Sequence, residues 1–177
     1  MVPLSLDERR EIQATPFRFT ASGHLNAPAA GVFVELADPS RWFPLIRSCL
    51  WHGRVGGVGS VREVHVRLFG TFREAMLAWE PRGPGGTARV AFTMTETSSP
   101  LVSRMAEDFA ITPELGGVRI DWTVAAVTTA LGRLATPVLR QTLRRMFAAY
   151  RPRLERLAAA SPVPRPSTEP AHGTPAS

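Results

Sequence analysis

The 177-residue chain contains no lysine, one cysteine and one tyrosine. Its net charge of +6 therefore comes from arginine, a usage typical of GC-rich genomes. Cys49 has no partner for an internal disulfide and cannot build a zinc site, so we interpret it as a small buried side chain rather than a nucleophile. The histidines show no ligand spacing, and we expect neither a metal nor a cofactor.

Long apolar runs are also missing. No stretch is long enough to span a bilayer, and no charged-then-apolar signal opens the chain. With 44% hydrophobic residues, the chain is expected to form a cytoplasmic domain with one core. The arginines lack interleaved aromatic residues and a glycine-rich phosphate loop, which argues against nucleic-acid binding. No serine has the context of a nucleophile elbow, which argues against a hydrolase triad.

Residues 131–160 carry the strongest periodic pattern. Their apolar side chains recur at three- and four-residue steps, which predicts one long amphipathic helix. Thr136 is the expected N-cap, Pro137 lies in the first turn, and Pro152 should kink or loosen the helix just after Tyr150. The opposite side carries six arginines: Arg140, Arg144, Arg145, Arg151, Arg153 and Arg156. This side is either a solvated face or a docking surface for an acyl carrier protein.

Alternating patterns and turn residues predict the other elements. Phe17–Leu25 reads as a strand, followed by a helix at residues 29–36 and a second short helix that runs through Ile46. Glycine and proline turns then separate six strands, near 49–54, 60–68, 72–80, 88–97, 103–112 and 117–128. Short connections join antiparallel neighbours. The predicted fold is α+β, with a curved antiparallel β-sheet wrapped around the long C-terminal helix and two short helices after the first strand.

Six local strings carry a family resemblance. They are LNAP at 25–28, GVFVELAD at 31–38, PSRWFP at 39–44, GVGSVR at 57–62, EAMLAWEP at 74–81 and GGVRIDW at 116–122. In this order they resemble the START-like helix-grip superfamily (SRPBCC), and within it the polyketide cyclase/dehydrase branch. The resemblance implies a cavity between sheet and long helix for a hydrophobic or aromatic molecule, with Trp42 near its mouth. Cyclases of this fold place polar residues on the strand that matches 72–80, where this chain has Leu77 and Trp79.

Three parts of the chain follow from these patterns. Residues 1–15 are expected to form an N-terminal extension with one short helix. Residues 16–160 are expected to form the helix-grip ligand-binding domain. Residues 161–177 are rich in proline, serine and alanine without an apolar period, which predicts a disordered tail.

Strand alternation and hairpin register predict which side chains face the cavity. The hairpin closures pair Glu107 with Trp122 on one side and with Glu96 on the other, and they pair Leu77 with Arg62. The predicted inward side chains are Arg62, Val64, Val66, Ala75, Leu77, Trp79, Val90, Phe92, Met94, Glu96, Met105, Glu107, Phe109, Ile111, Ile120 and Trp122. On the long helix, Met146, Phe147 and Tyr150 should roof the cavity, while both helix ends pack on the sheet.

Three ionisable residues interrupt this apolar set and are the candidate catalytic residues. Glu96 and Glu107 on facing strands would repel each other, which raises one pKa and suits general acid–base catalysis. Arg62 would neutralise one of them or bind a ligand oxygen. Alternatively, both glutamates are solvated near the turn between their strands, or a one-residue bulge turns them outward. His65 falls on the opposite face, across from Glu74, in a solvated charge ladder.

The residues and the resemblance leave two functions open. The first is an enzyme that cyclises or dehydrates a polyketide-like substrate, with an acyl carrier protein as its partner. The second is a non-catalytic protein that carries, sequesters or senses a lipid or aromatic metabolite. In both, the partner is a hydrophobic small molecule, and the chain acts as a monomer or a homodimer.

Overall fold

Seven strands and three helices make up residues 17–161, the part of the chain that the computed structural model describes. The elements are β1 (Phe17–Leu25), α1 (Ala29–Ala37), β2 (Ile46–His52), β3 (Val61–Val66), β4 (Gly70–Glu80), β5 (Ala88–Thr97), β6 (Val102–Glu114), β7 (Gly117–Thr128), α2 (Ala130–Leu134) and α3 (Thr136–Ala160). The strands form one open antiparallel sheet in which the strands from β2 to β7 each pair with the next one along the chain, while β1 pairs with β7 and not with β2.

The sheet order is β1-β7-β6-β5-β4-β3-β2, and the predicted α+β fold is confirmed. The β6–β7 hairpin has the shortest turn, and a glycine makes it possible. Between β6 and β7, Glu114 pairs with Gly117, and Gly116 has a φ of 80°, a conformation in which a side chain would be strained. None of the helices described is long and apolar enough to cross a membrane. The predicted extension, residues 1–15, lies outside the described residues, as does the predicted tail after Ser161.

The second short helix is a correction to the sequence prediction. A single 3₁₀ turn, Pro39–Arg41, stands in its place, and β2 already begins at Ile46. Asp38 caps this turn, since its carboxylate accepts a hydrogen bond from the backbone N–H of Ser40 at 3.1 Å. Pro44 prevents a longer helix because a proline disfavours helical backbone in the residue before it.

The long helix also starts differently from the prediction. Thr129 is the capping residue: its hydroxyl accepts from the N–H of Gly132 at 3.1 Å and starts the short helix α2. Thr136 is the first residue of α3, and its hydroxyl donates to the Gly132 carbonyl at 3.2 Å. The predicted N-cap at Thr136 is therefore wrong, because one more helical turn precedes it.

The C-terminal half of α3 is its anchored half. Leu154 and Ala158 are buried, and the Ala158 carbonyl lies directly against Gly31 of α1, where any side chain would collide with it. This anchoring explains why α3 continues through Pro152 in one piece instead of breaking there. Between residues 136 and 150 no side chain of α3 is fully buried. The two halves of the helix are therefore held unequally.

A matched pair of truncations tests this difference. Leu154→Ala should lower the free energy of unfolding by about 2–5 kcal/mol, because it leaves a void in packed surroundings. Leu143→Ala, the same change in the other half, should cost clearly less, because the Leu143 side chain is only half-buried whereas Leu154 is 2% exposed. Urea unfolding measures both values, and equal losses would show that the two halves are packed alike.

Candidate functional site

A cavity of about 150 Å³ lies between the inner face of the sheet and α3. An engineered protein cavity of about this volume, lined by aliphatic and aromatic side chains, binds benzene. The cavity therefore has room for a molecule about one ring in size. Its wall is mostly apolar, with Leu36, Trp42, Phe92, Met105, Phe109, Ile120, Trp122, Leu139, Leu143, Met146 and Phe147 among its side chains.

A buried ion pair forms the polar end of the cavity. Arg62 Nε donates to Glu74 Oε2 at 2.7 Å, and the two side chains are only 2% and 6% exposed. Arg62 Nη1 also donates to the carbonyls of Leu36 and Ala37, at 3.2 and 3.3 Å, where the C-terminal end of α1 favours a cation. The guanidinium lies 4.6 Å from the ring centre of Phe92. The charge of Arg62 is thus already matched within the protein.

Glu107 is the second carboxyl of the cavity. Its Oε2 accepts a hydrogen bond from Trp122 Nε1 at 2.7 Å. Burial and, to a smaller extent, the nearby Glu74 raise the pKa of Glu107, while the Trp122 hydrogen bond and Arg62 lower it, and the resulting pKa is about 8. Burial also raises the pKa of Glu74, and Arg62 opposes that rise. At neutral pH Glu107 is therefore mostly a neutral acid, held beside a matched ion pair.

Glu74 was expected on the outer face with His65, but it lies on the inner face, paired with Arg62. The register of β3 and β4 explains this difference. Glu74, rather than Leu77, pairs with Arg62, a shift of three residues. An odd shift exchanges the two faces of a strand. The turn responsible has Leu68 at a φ of 70°, a conformation that a leucine rarely adopts and that the sequence does not announce.

A sequence signal for Glu74 does exist. Phe72 and Met76 flank it at two-residue steps, and both are buried. Alternation taken from these apolar residues would have placed Glu74 on the inner face. Opposite charges on neighbouring strands, here Arg62 and Glu74, also favour direct pairing.

Glu96 does not lie in the cavity, which corrects a predicted catalytic position. Its side chain is 70% exposed and pairs with Arg73 at 3.3 Å. An irregularity in the β4–β5 ladder leaves one residue of β5 unpaired between Met94 and Glu96, which turns Glu96 outward. Met94 is buried opposite Glu74 but does not border the cavity. The acidic neighbour of Glu107 is thus Glu74.

The other predicted positions on β5, β6 and β7 keep their faces. Glu107 pairs with Phe92 rather than Glu96, and with Val124 rather than Trp122, shifts of four and two residues. Even shifts leave every side chain on its predicted face. The side chains that still border the cavity are Phe92, Met105, Glu107, Phe109, Ile120 and Trp122.

Leu77 and Trp79 were predicted to line the cavity, and neither does. A second irregularity leaves Leu77 unpaired in the β4–β5 ladder, so the alternation of β4 changes there. Trp79 packs edge-on against Phe33 of α1 and against Trp51 of β2, with ring centres 5.0 and 5.7 Å away. Trp79 is therefore a structural part of the core, whereas Leu77 is half-buried outside the cavity.

On α3 the predicted roof is only partly right. Met146 and Phe147 border the cavity, and the Phe147 ring stacks on Trp122 with centres 5.9 Å apart. The Tyr150 ring instead packs edge-on against Phe43 at 4.8 Å. Because the helix turns by about 100° per residue, Tyr150 points away from the direction of Phe147 enough to reach the turn before β2.

Two further predictions about α3 concern its packing. Leu139 and Leu143 were expected to pack on the sheet, and they pack against the core and also border the cavity. Arg151 was assigned to the solvated side, yet it lines the cavity where it crosses Gly23 of β1. A Cβ at position 23 would be 2.7 Å from the Arg151 Cδ atom, so the glycine makes this crossing possible.

The remaining candidates are structural. Burial raises the pKa of the Cys49 thiol to about 11, which keeps it protonated and unreactive. His65 lies on the outer face, where it contacts Glu63 at 2.9 Å and Thr71 at 3.2 Å. Within residues 17–161, no three His, Cys, Asp or Glu side chains are grouped so that they could hold a metal ion. Trp42 is buried in the cavity wall and donates from Nε1 to the Glu35 carbonyl at 2.9 Å.

Comparisons with known sequences agree with this architecture. Residues 16–161 match the family described as polyketide cyclase / dehydrase and lipid transport. Uncharacterized proteins of Mycobacterium bovis and Mycobacterium tuberculosis are 31% identical to this chain over 143 residues, which is 76% of this chain and 83% of each relative.

Solved structures show the same fold at low identity. Ara h 8.0201 superposes with a TM-score of 0.60 at 17% identity, covering 82% of this chain and 99% of the other. A protein of Thermus thermophilus gives 0.64 at 16% identity, covering 81% and 98%. A hypothetical Helicobacter pylori protein gives 0.68 at 12% identity, covering 89% and 97%. The sheet, the helix across it and the family match confirm the predicted resemblance, and the chain belongs to the polyketide cyclase/dehydrase and lipid transport family of helix-grip proteins.

Proposed function

We propose that this protein binds a small hydrophobic or aromatic molecule in the cavity beneath α3, and that the bound molecule presents a neutral oxygen to Glu107. The observation that carries the proposal is the Glu107 carboxyl, which accepts a hydrogen bond from Trp122 at 2.7 Å in a mostly apolar wall. Its pKa of about 8 favours the protonated form at neutral pH. A carboxylic acid that keeps its proton at neutral pH can donate a hydrogen bond to a carbonyl or hydroxyl oxygen.

The charges of the site support a neutral ligand over an anionic one. Arg62 is the cation of this wall nearest to Glu107, and it already pairs with Glu74 and with two carbonyls of α1. Arg151 also lines the cavity, where it crosses Gly23 of β1. A ligand carboxylate beside Glu107 would have to displace Glu74 from Arg62, draw Arg151 away from this crossing or remain unpaired, and burying an unpaired charge is costly. Neutral Glu107 adds no charge that would compensate it.

The position of α3 supports a range of ligand sizes. In the described conformation the volume of about 150 Å³ suits a single ring. The half of α3 that covers the cavity has no fully buried side chain, whereas Leu154 and Ala158 anchor the other half. A larger ligand would be admitted by outward movement of the loosely held half.

Binding can be tested with two probes of nearly the same shape. Acetophenone presents a neutral carbonyl and benzoate a carboxylate, and at pH 7 we expect acetophenone to bind at least about tenfold more tightly. Leu143→Trp, which places a ring in the cavity, should abolish binding, whereas Glu96→Gln on the outer face should leave it unchanged. Isothermal titration measures these affinities, and tighter binding of benzoate would contradict the assignment.

The titration of Glu107 provides a second test. Its pKa of about 8 in the folded state lies above the value of about 4.3 in an unfolded chain. Between these values the folded state holds the extra proton, so its stability should fall as pH rises from about 4.3 to about 8. Glu107→Gln keeps an acceptor for Trp122 and should remove this part of the fall in urea unfolding. The Trp122 indole N–H signal should shift with a midpoint near pH 8 in the wild type only.

Catalysis is the second candidate function, and the raised pKa of Glu107 favours it. In the dehydration of a β-hydroxy ketone, Glu107 would give its proton to the departing hydroxyl, which leaves as water. The resulting carboxylate would then take the proton from the carbon next to the ketone, which forms the carbon–carbon double bond and restores the acid. An acid near neutrality suits both steps, whereas the paired Glu74 does not.

The matching assay uses a single-ring substrate. The protein should accelerate the dehydration of 4-hydroxy-4-phenyl-2-butanone, followed by the absorbance of the conjugated product. Glu107→Gln should lose about 10²–10⁴-fold of the acceleration while still binding acetophenone. Glu96→Gln, a matched change on the outer face, should retain full activity. Binding of acetophenone without any acceleration by the wild type would leave the carrier function as the one supported.

A further inference from the structure

The cavity has a closed end and an open end. Around the Arg62–Glu74 pair the wall is buried, with Phe92 only 4% exposed. At the opposite end the bordering side chains are only half-buried, and they come from the β3–β4 and β5–β6 connections and from the start of α3. They are Val66, Phe69, Leu101, Leu139 and Leu143. This end is the mouth of the cavity.

Four large apolar side chains stand out into solvent around this mouth. They are Leu68, Leu131, Leu134 and Val138, which are 92%, 56%, 83% and 69% exposed, and we call them the rim. They come from separate segments, namely the β3–β4 turn, α2 and the first turn of α3. Antiparallel pairing brings these segments to one end of the sheet, since β4 and β6 begin there and β5 and β7 end there.

Direct contacts tie the rim segments together. The β3–β4 hairpin meets the β5–β6 turn where the Thr71 N–H donates to Ser98 Oγ at 2.9 Å. The connection into α2 meets the same turn where Thr129 Oγ1 donates to the Pro100 carbonyl at 2.7 Å. The rim is therefore one end surface rather than a set of unrelated positions.

The segments of the rim carry arginine and no acidic residue. Residues 129–145 contain four arginines and no aspartate or glutamate, and residues 66–71 contain Arg67 and again no acid. Next along β4, Arg73 is ion-paired with Glu96 of β5. Exposed apolar side chains among the arginines of these segments complement a surface that is apolar below and negative above.

We propose that the rim docks on an anionic lipid bilayer, so that the mouth of the cavity faces the membrane from which a hydrophobic ligand is taken or to which it is delivered. A protein partner would need a continuous, shape-matched patch of about 1,000 Å² or more. A bilayer accepts separate protruding leucines without such a match, which fits a rim built from short turns. The direction of ligand transfer rests on the proposed function, but the docking itself requires no ligand.

Vesicle co-sedimentation of the ligand-free protein tests the docking. Phosphatidylcholine vesicles containing phosphatidylglycerol should bind the wild type, and pure phosphatidylcholine vesicles should bind it much more weakly. The double variant Leu134→Ser/Val138→Ser should lose at least about tenfold in partitioning. Leu115→Ser is the matched control, because Leu115 is 101% exposed at the opposite end of the sheet, in the β6–β7 turn.

The arginine contribution is tested in the same assay. Arg133→Gln, between two rim leucines, should weaken binding to anionic vesicles, and the weakening should shrink as salt is added. Arg82→Gln, in the β4–β5 turn at the far end, should have no effect. Equal binding to both kinds of vesicle would overturn the electrostatic part of the proposal.

Three results would overturn the docking itself. The first is a wild type that ignores anionic vesicles, and the second is equal loss in the Leu115→Ser control. The third is a wild-type dimer that the double variant converts to a monomer without any vesicle binding, which would make the rim a contact between two copies. Acetophenone titration of the double variant keeps the two proposals apart, because cavity binding should be unchanged when the rim is altered.

Discussion

The buried ion pair between Arg62 and Glu74 is the interaction on which the site depends. Two charges in an apolar interior are tolerated only when they are paired and their remaining hydrogen bonds are satisfied. Here the last carbonyls of α1 and the ring of Phe92 complete the surroundings of the guanidinium. The pair therefore joins α1 to the middle of the sheet and shapes the closed end of the cavity. Arg62 is paired with Glu74, and its opposing effect on Glu107 is smaller than that of burial, so the pKa of Glu107 is raised to about 8.

The two ends of the cavity differ, and the two halves of α3 that cover them are packed differently. At the closed end the helix is anchored by Leu154 and by the contact of Ala158 with Gly31. Towards the mouth its side chains border open space, and its surface carries exposed apolar residues and arginines. The cavity thus has the carboxyl of Glu107 inside, an apolar wall along its length and the basic, apolar rim at its mouth. This arrangement suits a molecule that enters with its polar oxygen first.

The site was only partly predictable. Which parts could be predicted depends on whether the register of a strand is shifted by an even or an odd number of residues. On β6 and β7 the predicted registers were displaced by even numbers of residues, so Glu107, Phe109 and Trp122 kept their inward faces. On β4 the register was displaced by an odd number of residues. The prediction therefore put Glu74 on the outer face and Leu77 on the inner face. The irregularity before Glu96 is the one-residue bulge that the sequence leaves open as an alternative, but no residue near it indicates that the bulge is present. A backbone bulge gains its stability from the neighbouring strands rather than from the sequence around it.

The sequence is enough to predict the succession of strands along the chain, the long amphipathic helix, the apolar character of the inner face and the family resemblance. These depend on periodicity and turn residues, which act over a few neighbouring positions. Three features of the site depend instead on tertiary packing: Arg62 meets Glu74, Glu96 faces solvent, and Tyr150 leaves the cavity to pack on Phe43. Each of these outcomes depends on how one strand or helix is placed against another. A displacement of a single residue there reverses the environment of a charged side chain at no local cost.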